Sequence, residues 1–154
     1  MTATANCAAP HWDCKQPHVL VVDRNVEFGK SIVAALEALS ICAKHTRTVD
    51  EYLDFNCPAR VDLVSLEIDA MDPETLDNLR LLRTHFGEGP GTRIVATSVF
   101  APGAFPFLVE QRGADTCISK DHEPDTMAAT LETELQHLKN RQNAELCPAS
   151  CATK

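Results

Sequence analysis

Charged and hydroxyl side chains follow short apolar runs at four places in the sequence. These residues are Asp23 with Arg24, Glu67, Thr97 with Ser98, and Lys120. If the four places meet in the fold, their carboxylates can pair with a guanidinium and an ammonium, and Arg–carboxylate contacts are among the strongest such pairs. We therefore predict a two-point pair between Arg24 and Glu67, with Lys120 adding positive charge. The expected interactions are ion pairs between these side chains.

The apolar runs that precede these residues are typical of strands buried on both faces of a parallel sheet. The predicted strands cover residues 18–23, 41–46, 61–68, 93–97 and 114–119. All five are short, and the segments 18–23 and 61–68 are rich in Val, Ile and Leu. The sequence therefore predicts five strands, and four of them lead into the charged or hydroxyl residues.

Apolar residues at helical spacing lie between the predicted strands. Ile32, Leu36 and Leu39 share one face of a first helix, whose start Asn25 can cap. The other predicted helices are marked by a capping box from Thr48 to Glu51, by Leu76, Leu79 and Leu82 after Pro73, by residues 105–111, and by Met127, Leu131, Leu135 and Leu138. Prolines near residues 102–106 predict that the fourth helix is short.

Five buried strands alternating with helices predict an α/β fold with a doubly wound, five-stranded parallel sheet. The expected strand order is 2-1-3-4-5, the flavodoxin-like arrangement. Residues 17–140 would form this domain, residues 1–16 a disordered N-terminal arm, and residues 141–154 a flexible C-terminal tail. Because the carboxyl ends of parallel strands meet at one edge, the four charged or hydroxyl places should share one crevice.

The composition favours a protein that binds other proteins. The chain has 154 residues and a net charge of −8, which disfavours contact with nucleic acids or anionic membranes. No apolar run approaches the length of a membrane span, and residues 1–12 lack the features of a secretory signal. We therefore expect a cytoplasmic protein.

The seven cysteines are expected to be free thiols in that compartment. Cys42 and Cys117 fall in predicted strands and Cys57 in a predicted loop. The other four lie in the predicted arm and tail, at Cys7, Cys14, Cys147 and Cys151. A metal or redox site joining arm and tail, with His11 and His18, is the alternative, although the cysteine spacings are not those of usual zinc ligands.

Five segments together resemble the receiver domain of two-component response regulators, the chemotaxis-protein-like fold. They are Val21–Asp23, Asp62–Ile68, Thr97–Ser98, Gly113–Asp115 and Ile118–Lys120. In order, they resemble the family's first strand, its phosphoacceptor strand, the hydroxyl after the fourth strand, the glycine-alanine turn and the conserved lysine. The resemblance extends from about His18 to Leu138. It implies that Ser98 and Lys120 correspond to the hydroxyl and the lysine that contact the phosphoryl group in active members of the family.

This sequence differs from that family at positions that bind the metal and accept the phosphoryl group in active receivers. Active receivers hold Mg²⁺ with two acids after the first strand and an Asp on the third, and this Asp accepts the phosphoryl group. Arg24 stands in place of the acid that binds metal most directly, and its fixed positive charge repels Mg²⁺. Glu67 stands in place of the acceptor, one methylene further out, and a displacement of ~1 Å can cost ~10²-fold in rate. We expect Mg²⁺ binding to be lost or weak, and no other cofactor.

Further family positions also differ. Met71 replaces the usual proline after the acceptor, Cys117 occupies the aromatic switch position, and Asp121 replaces the proline after the lysine. The sequence is therefore interpreted as a degenerate receiver, or pseudo-receiver, in which Ser98 and Lys120 contact Glu67 instead of phosphate.

Three functions follow from these patterns. The first is a receiver without enzymatic activity that signals by protein contact and independently of phosphorylation. The second is a conventional Mg²⁺-dependent receiver in which Asp69 or Asp23 substitutes as the acceptor. The third is a flavodoxin-like small-molecule binder, which the residues after the first predicted strand, Asp23–Glu27, do not favour because they lack a phosphate-cradling turn.

The expected partner is a histidine kinase or another signalling protein, because no DNA-binding or catalytic output domain is predicted after residue 140. A homodimer is a further alternative. Phe105 and Phe107, with Phe100 nearby, are the interface candidates, since aromatic residues beside prolines can mark a contact surface. Packing in the core is the competing interpretation, above all for Phe107.

Overall fold

Strands and helices alternate along the chain in the computed structural model, which describes residues 17–54, 60–69, 71–87, 91–99, 103, 105–120 and 123–146. The elements are β1 (His18–Val22), α1 (Val26–Ala38), β2 (Cys42–Thr46), α2 (Val49–Asp54), β3 (Leu63–Glu67), α3 (Pro73–Phe86), β4 (Arg93–Ser98), α4 (Phe105–Gln111), β5 (Thr116–Ser119) and α5 (Pro124–Leu146). The predicted alternation is confirmed, including the short helix α4.

The five strands form one parallel sheet in the order β2-β1-β3-β4-β5. This confirms the predicted doubly wound α/β fold. Parallel pairing brings the carboxyl ends of all five strands to the same edge. The charged and hydroxyl residues that follow the strands are thereby collected at that edge.

Alternating side chains of the strands supply two cores, one on each face of the sheet. Leu20 and Val22 of β1 pack with α2, α3 and α4 in the first core. Val19 and Val21 pack with α1 and α5 in the second core. The predicted stripe of the last helix is confirmed, because Met127, Leu131, Leu135 and Leu138 are all buried.

Local signals in the sequence start the helices where predicted. The Asn25 side chain accepts a hydrogen bond from Phe28 N at the start of α1. At the start of α2, Thr48 Oγ1 accepts from Glu51 N, and the Glu51 carboxylate accepts from Arg47 N. Within the described residues, no helix is both long enough and apolar enough to cross a bilayer.

Two helix ends differ from the prediction. The first helix ends at Ala38, and Leu39 is 42% exposed instead of completing the buried face. Ser40 then adopts a positive φ of 62°, which turns the chain toward β2. The last helix continues to Leu146, so residues 141–146, which were predicted to begin the tail, are helical. The predicted arm, residues 1–16, and residues 147–154 lie outside the described residues.

Candidate functional site

The carboxyl edge of the sheet brings together the residues that the sequence singled out. Asp23 directly follows β1, Glu67 is the last residue of β3, and Ser98 is the last residue of β4. Lys120 follows β5, and its N–H donates to the Ser98 carbonyl at 2.8 Å. Thr97 lies beside Glu67 in the β3–β4 register. The backbone of the sheet therefore fixes the Cα position of each of these residues.

Lys120 lies at the centre of the site. Its Nζ is 2.8 Å from Asp23 Oδ2, 3.0 Å from Asp23 Oδ1 and 3.4 Å from Glu67 Oε1. The Phe28 ring of α1 faces the same ammonium, with its centroid 4.9 Å away. The Lys120 side chain is only 9% exposed. One buried ammonium thus joins both carboxylates of the site, and the predicted contact between Lys120 and Glu67 is confirmed.

Asp23 is the more deeply buried carboxylate, with 3% of its side chain exposed. Its Oδ1 also accepts a hydrogen bond from Asn25 N at 2.8 Å, and its backbone carbonyl lies 2.8 Å from His45 Nε2. Burial raises the pKa of Asp23 above its ordinary value, while the hydrogen bond from Lys120 acts in the opposite direction. The Lys120 ammonium is therefore the main group that compensates a carboxylate removed from water.

The close approach of His45 to this loop depends on a glycine. A Cβ atom at residue 29 of α1 would lie 2.3 Å from His45 Cδ2, so only Gly29 leaves room for the ring. Neither His45 nor Phe28 was identified from the sequence as part of the site. The pattern carried no signal for them, because β2 and α1 contribute them only after packing on the sheet.

Glu67 is held by one backbone group and one side chain. Its Oε2 accepts from Arg24 N at 2.9 Å, and its Oε1 faces Lys120. Burial opposes ionisation of Glu67, but the Arg24 N–H and the Lys120 charge outweigh burial, so the pKa of Glu67 lies below its ordinary value. Both carboxylate oxygens of Glu67 are therefore engaged. A contact between Glu67 and the Ser98 hydroxyl stays a prediction.

The predicted two-point ion pair between Arg24 and Glu67 is wrong. The Arg24 guanidinium instead lies 3.2 Å from Asp72 Oδ2, the capping residue of α3. Arg24 contacts Glu67 through its backbone N–H, which directs its side chain outward, where it is 54% exposed. An exposed pair of this kind contributes about 0–1 kcal/mol. Asp72 was missed as a partner, although its position before Pro73 marks it as a helix cap.

The acids proposed as substitute acceptors have other contacts. Asp69 Oδ1 accepts from Met71 N at 2.9 Å, and Asp69 N donates to Thr75 Oγ1 at 3.0 Å. Asp69 thus forms a turn in the exposed loop before α3. Asp23 is held by Lys120. Met71, which occupies the place of the usual proline, is 84% exposed.

The donor set at this edge differs from what Mg²⁺ requires. The ion needs several hard oxygen ligands in near-octahedral geometry. Here a lysine ammonium already occupies the space between the two carboxylates, and residue 24 supplies a cation. Among the residues that the structure describes, no three His, Cys, Asp or Glu side chains are grouped as metal ligands. The ammonium and the guanidinium are not metal ligands, so the chemistry of these side chains is unlike the oxygen-rich set that Mg²⁺ prefers.

A pocket of about 150 Å³ opens beside Glu67, between the starts of α2 and α3. Its charged lining residues have both signs: Arg24, Arg47, Asp50, Glu67, Asp72 and Glu74. Because side chains of both signs line it, the pocket presents no uniform field to a charged ligand.

The interface candidates separate into one core residue and one surface residue. Phe105 is 7% exposed and belongs to the first core, so its assignment to an interface is wrong. Phe107 is 62% exposed, which contradicts its expected place in the core and leaves it as an interface candidate. The two side chains differ because residues two positions apart on a helix point in nearly opposite directions. Phe100 lies outside the described residues.

The two cysteines that the structure describes, Cys42 and Cys117, form no disulfide and are partly buried. Cys117, on β5, packs against the first core. Burial, followed by the nearby charge of Glu110, raises the pKa of the Cys117 thiol. A raised pKa disfavours the reactive thiolate. The other five cysteines, and the site proposed to join arm and tail, lie outside the described residues.

Leucine substitutions at Phe105 and Phe107 test whether the first side chain is a core residue and the second a surface residue. Phe105→Leu is expected to lower the free energy of unfolding by about 1 kcal/mol, because it alters the packing of the first core. Phe107→Leu should change it by less than about 0.5 kcal/mol. Urea unfolding of both variants measures the difference. Equal losses, or a larger loss for Phe107→Leu, would contradict the burial described above.

No family model and no curated protein matches the chain. Solved structures do match. A response regulator from Thermotoga maritima is 21% identical, with a TM-score of 0.67 over 79% of this chain and 98% of that one. A CheY-like receiver domain protein from Methanospirillum hungatei JF-1 is 19% identical, with a TM-score of 0.68 over 82% and 98%. An orphan response regulator of H. pylori is 18% identical, with a TM-score of 0.63 over 77% and 96%.

These matches cover most of this chain and nearly all of each neighbour. The neighbours are response regulators or receiver domains by description, which agrees with the resemblance that the five sequence segments predicted. At identities of 18–21%, the likeness concerns the three-dimensional arrangement. The chain has the fold of response-regulator receiver domains.

Proposed function

We propose that this protein is a receiver-like module of two-component-type signalling that acts through protein contacts and without being phosphorylated. The observation that carries the proposal is the position of Lys120. Its buried ammonium lies between Asp23 and Glu67, where an active receiver needs room for a metal ion. The site is then held in one charge state by its own side chains.

The electrostatics of the site support this proposal. Mg²⁺ would have to displace an ammonium that two carboxylates hold, and it would do so next to the permanent charge of Arg24. The displacement would break the contact between Lys120 and the buried Asp23 carboxylate, and the ion would have to replace that contact in full. The displacement and the nearby charge of Arg24 both cost free energy, so Mg²⁺ is expected to bind weakly or not at all.

The contacts of Glu67 argue against phosphoryl transfer to this residue. Its two oxygens are engaged by Arg24 N–H and Lys120, and its carboxylate extends one methylene beyond that of an aspartate. In-line transfer depends on placement within about 1 Å. Glu67 instead presents a permanent negative charge to Lys120, much as a phosphorylated aspartate would. The output would then depend on the amount of protein or on a partner.

The partner is proposed to be a protein, such as a histidine kinase or another signalling protein. The net charge of −8 suits a partner with a basic patch and disfavours nucleic acids and anionic membranes. Phe107 on α4, beside the partly exposed Leu108, is the candidate contact point. The module would have no enzymatic activity of its own, and we place it in the cytoplasm.

Intact-mass spectrometry after incubation with acetyl phosphate and Mg²⁺ tests the proposal. The protein is expected to keep its mass, while a receiver with all three acids, treated in parallel, gains about 80 Da, the mass of an added phosphoryl group. A gain of about 80 Da on an aspartate of this chain would overturn the proposal. It would favour a conventional Mg²⁺-dependent receiver with Asp69 or Asp23 as the acceptor.

A further inference from the structure

A shallow pocket of about 520 Å³ opens at the amino edge of the sheet, where the start of β4 meets the last turns of α5. Arg93 is the first residue of β4, so the pocket lies at the opposite edge of the sheet from Lys120. Three of its lining residues follow Leu138, so the continuation of α5 to Leu146 completes the pocket. The residues that line it are Arg93, Glu134, His137, Asn140, Arg141 and Ala144.

Arg93 is a cation held in the wall of this pocket. Its side chain is only 15% exposed, and its Nε donates to Glu134 Oε2. Among the described residues, Glu134 is the one hydrogen-bond partner of the guanidinium, so the two terminal NH₂ groups have no acceptor there. A partly buried donor without an acceptor costs free energy, which a ligand with suitable oxygens would recover.

One face of α5 supplies further donors to the same pocket. His137, Asn140 and Arg141 lie at i, i+3 and i+4, and all three are exposed. Their side chains form no hydrogen bond or ion pair within the described part of the chain. An imidazole has at least one N–H in either tautomer, an amide has two and a guanidinium has five. The pocket therefore combines donors from four side chains with a single acid, Glu134.

The lining of the pocket carries a net positive charge, although the whole chain carries −8. Arg93 and Arg141 outnumber Glu134, and His137 adds no negative charge. Exposed charges further away than about 8 Å are largely screened at physiological ionic strength. The carboxyl end of α5 disfavours an anion, but this effect falls off within the last turn, and Arg141 lies five residues before Leu146. The pocket is therefore suited to an anionic group.

We propose that this pocket binds a phosphate monoester. Such a group carries a charge of about −1.5 to −2 and three acceptor oxygens, whereas one guanidinium is enough to satisfy both oxygens of a carboxylate. In the complex, Arg93 and Arg141 contact the phosphoryl oxygens, and His137 and Asn140 donate to the acceptor positions that remain. The alcohol part of the ester occupies the rest of the pocket. This inference does not depend on the proposed function, because the pocket and the Lys120 site lie at opposite edges of the sheet.

Titration of the full-length, ¹⁵N-labelled protein with phenyl phosphate, followed by NMR in the absence of divalent metal, tests the proposal. Saturable shift changes are expected at the amides of residues 137–144 and at the Arg93 Nε–H, beyond those that sodium chloride causes at equal ionic strength. Arg141→Gln should weaken binding about tenfold, because it removes a charge-assisted contact. A phosphoserine peptide, titrated in parallel, distinguishes the source of the ester: tighter binding than phenyl phosphate indicates a phosphorylated protein, and weaker binding a small molecule.

Lys139→Gln is the matched control for Arg141→Gln. Lys139 is also an exposed cation of α5, two residues away, but it does not line this pocket. Its substitution removes the same charge and should change the affinity for phenyl phosphate by less than about twofold. The spectrum of each variant verifies that it is folded.

Glu134→Gln should have the opposite effect to Arg141→Gln. It removes the acid that competes with the ligand for Arg93, so phenyl phosphate is expected to bind at least about threefold more tightly. Unchanged or weaker binding in this variant would contradict the proposal. So would equal losses in Lys139→Gln and Arg141→Gln, or shift changes centred on Ser98 and Lys120 at the carboxyl edge. Equal affinity for benzoate would assign the pocket to carboxylates and would overturn the proposal as well.

Discussion

Lys120→Met is expected to lower the free energy of unfolding by about 3–5 kcal/mol at neutral pH, the range typical of removing one member of a buried ion pair. The substitution keeps most of the side-chain volume and removes only the ammonium. Asp23 and Glu67 would then face each other as carboxylates, with 3% and 22% of their side chains exposed. Urea unfolding at about pH 7.5 measures the loss.

The loss should become smaller at acid pH. Burial already raises the pKa of Asp23 above 3.8, and removing Lys120 removes a group that lowers it. A carboxyl whose pKa is raised in the folded state lowers the stability of the fold when it is ionised. This cost appears as the pH rises through the pKa and disappears when the carboxyl is protonated. The deficit of Lys120→Met relative to the unchanged protein should therefore be smaller at about pH 5 than at about pH 7.5.

Two variants serve as controls for this result. Lys30→Met removes an exposed lysine of α1 and should change the unfolding free energy by less than about 0.5 kcal/mol. Adding Asp23→Asn to Lys120→Met neutralises the deeper carboxylate and should recover a large part of the loss, because the two residues are in direct contact. Equal losses in Lys30→Met and Lys120→Met would show that the ammonium has no special role.

The double variant Arg24→Asp with Glu67→Asp is expected to gain Mg²⁺ affinity. It restores the acid pair after β1 and the shorter acid at the end of β3. Residue 24 changes its charge by two units, and at about 5 Å from a divalent ion in a hydrated site this is worth about 3 kcal/mol, or about 100-fold in affinity. Isothermal titration calorimetry with Mg²⁺ measures the change.

Glu67→Asp alone is the control for the double variant. It shortens the acid but keeps the guanidinium of Arg24, so its Mg²⁺ affinity should stay close to that of the unchanged protein. The double variant is also the one in which acetyl phosphate should produce a mass increase. If the unchanged protein already binds Mg²⁺ as tightly as the double variant, Arg24 does not block the site.

The sequence was sufficient to locate the site because parallel strands impose a simple rule. Apolar runs mark the strands, and the residue after each run must lie at the carboxyl edge of the sheet. Asp23, Glu67, Ser98 and Lys120 could be selected in this way without coordinates. The order of the strands was predicted separately, from the common doubly wound arrangement for five strands, and the sheet confirms it.

The pairing of charges could not be predicted with the same rule. The carboxylates of Glu67 and Asp72 both lie within reach of Arg24. Its backbone N–H donates to Glu67, and its guanidinium pairs with Asp72. The sequence shows that a cationic residue has acidic partners available. It does not show whether the backbone N–H or the side chain of that residue makes the contact. The main contact of Lys120 is with Asp23, although only Glu67 was expected.

Helix ends and helix faces were the other source of error. The last helix was expected to end near its final buried leucine, Leu138, but the polar residues after it continue the helix to Leu146. Pro148 is the first strong helix breaker in that segment. On α4, seven residues are too few for periodicity to indicate which of Phe105 and Phe107 faces the sheet.

The sequence by itself determined the alternation of strands and helices, the doubly wound sheet, and the set of charged residues at its carboxyl edge. These features depend on local patterns of apolar residues and on rules that all parallel sheets obey. Only the tertiary structure decided that Lys120 joins Asp23 to Glu67 and that Arg24 turns to Asp72. Lys120 and Asp23 are 97 residues apart, and the contact between them depends on side-chain positions at the scale of one ångström, which packing sets and residue types do not.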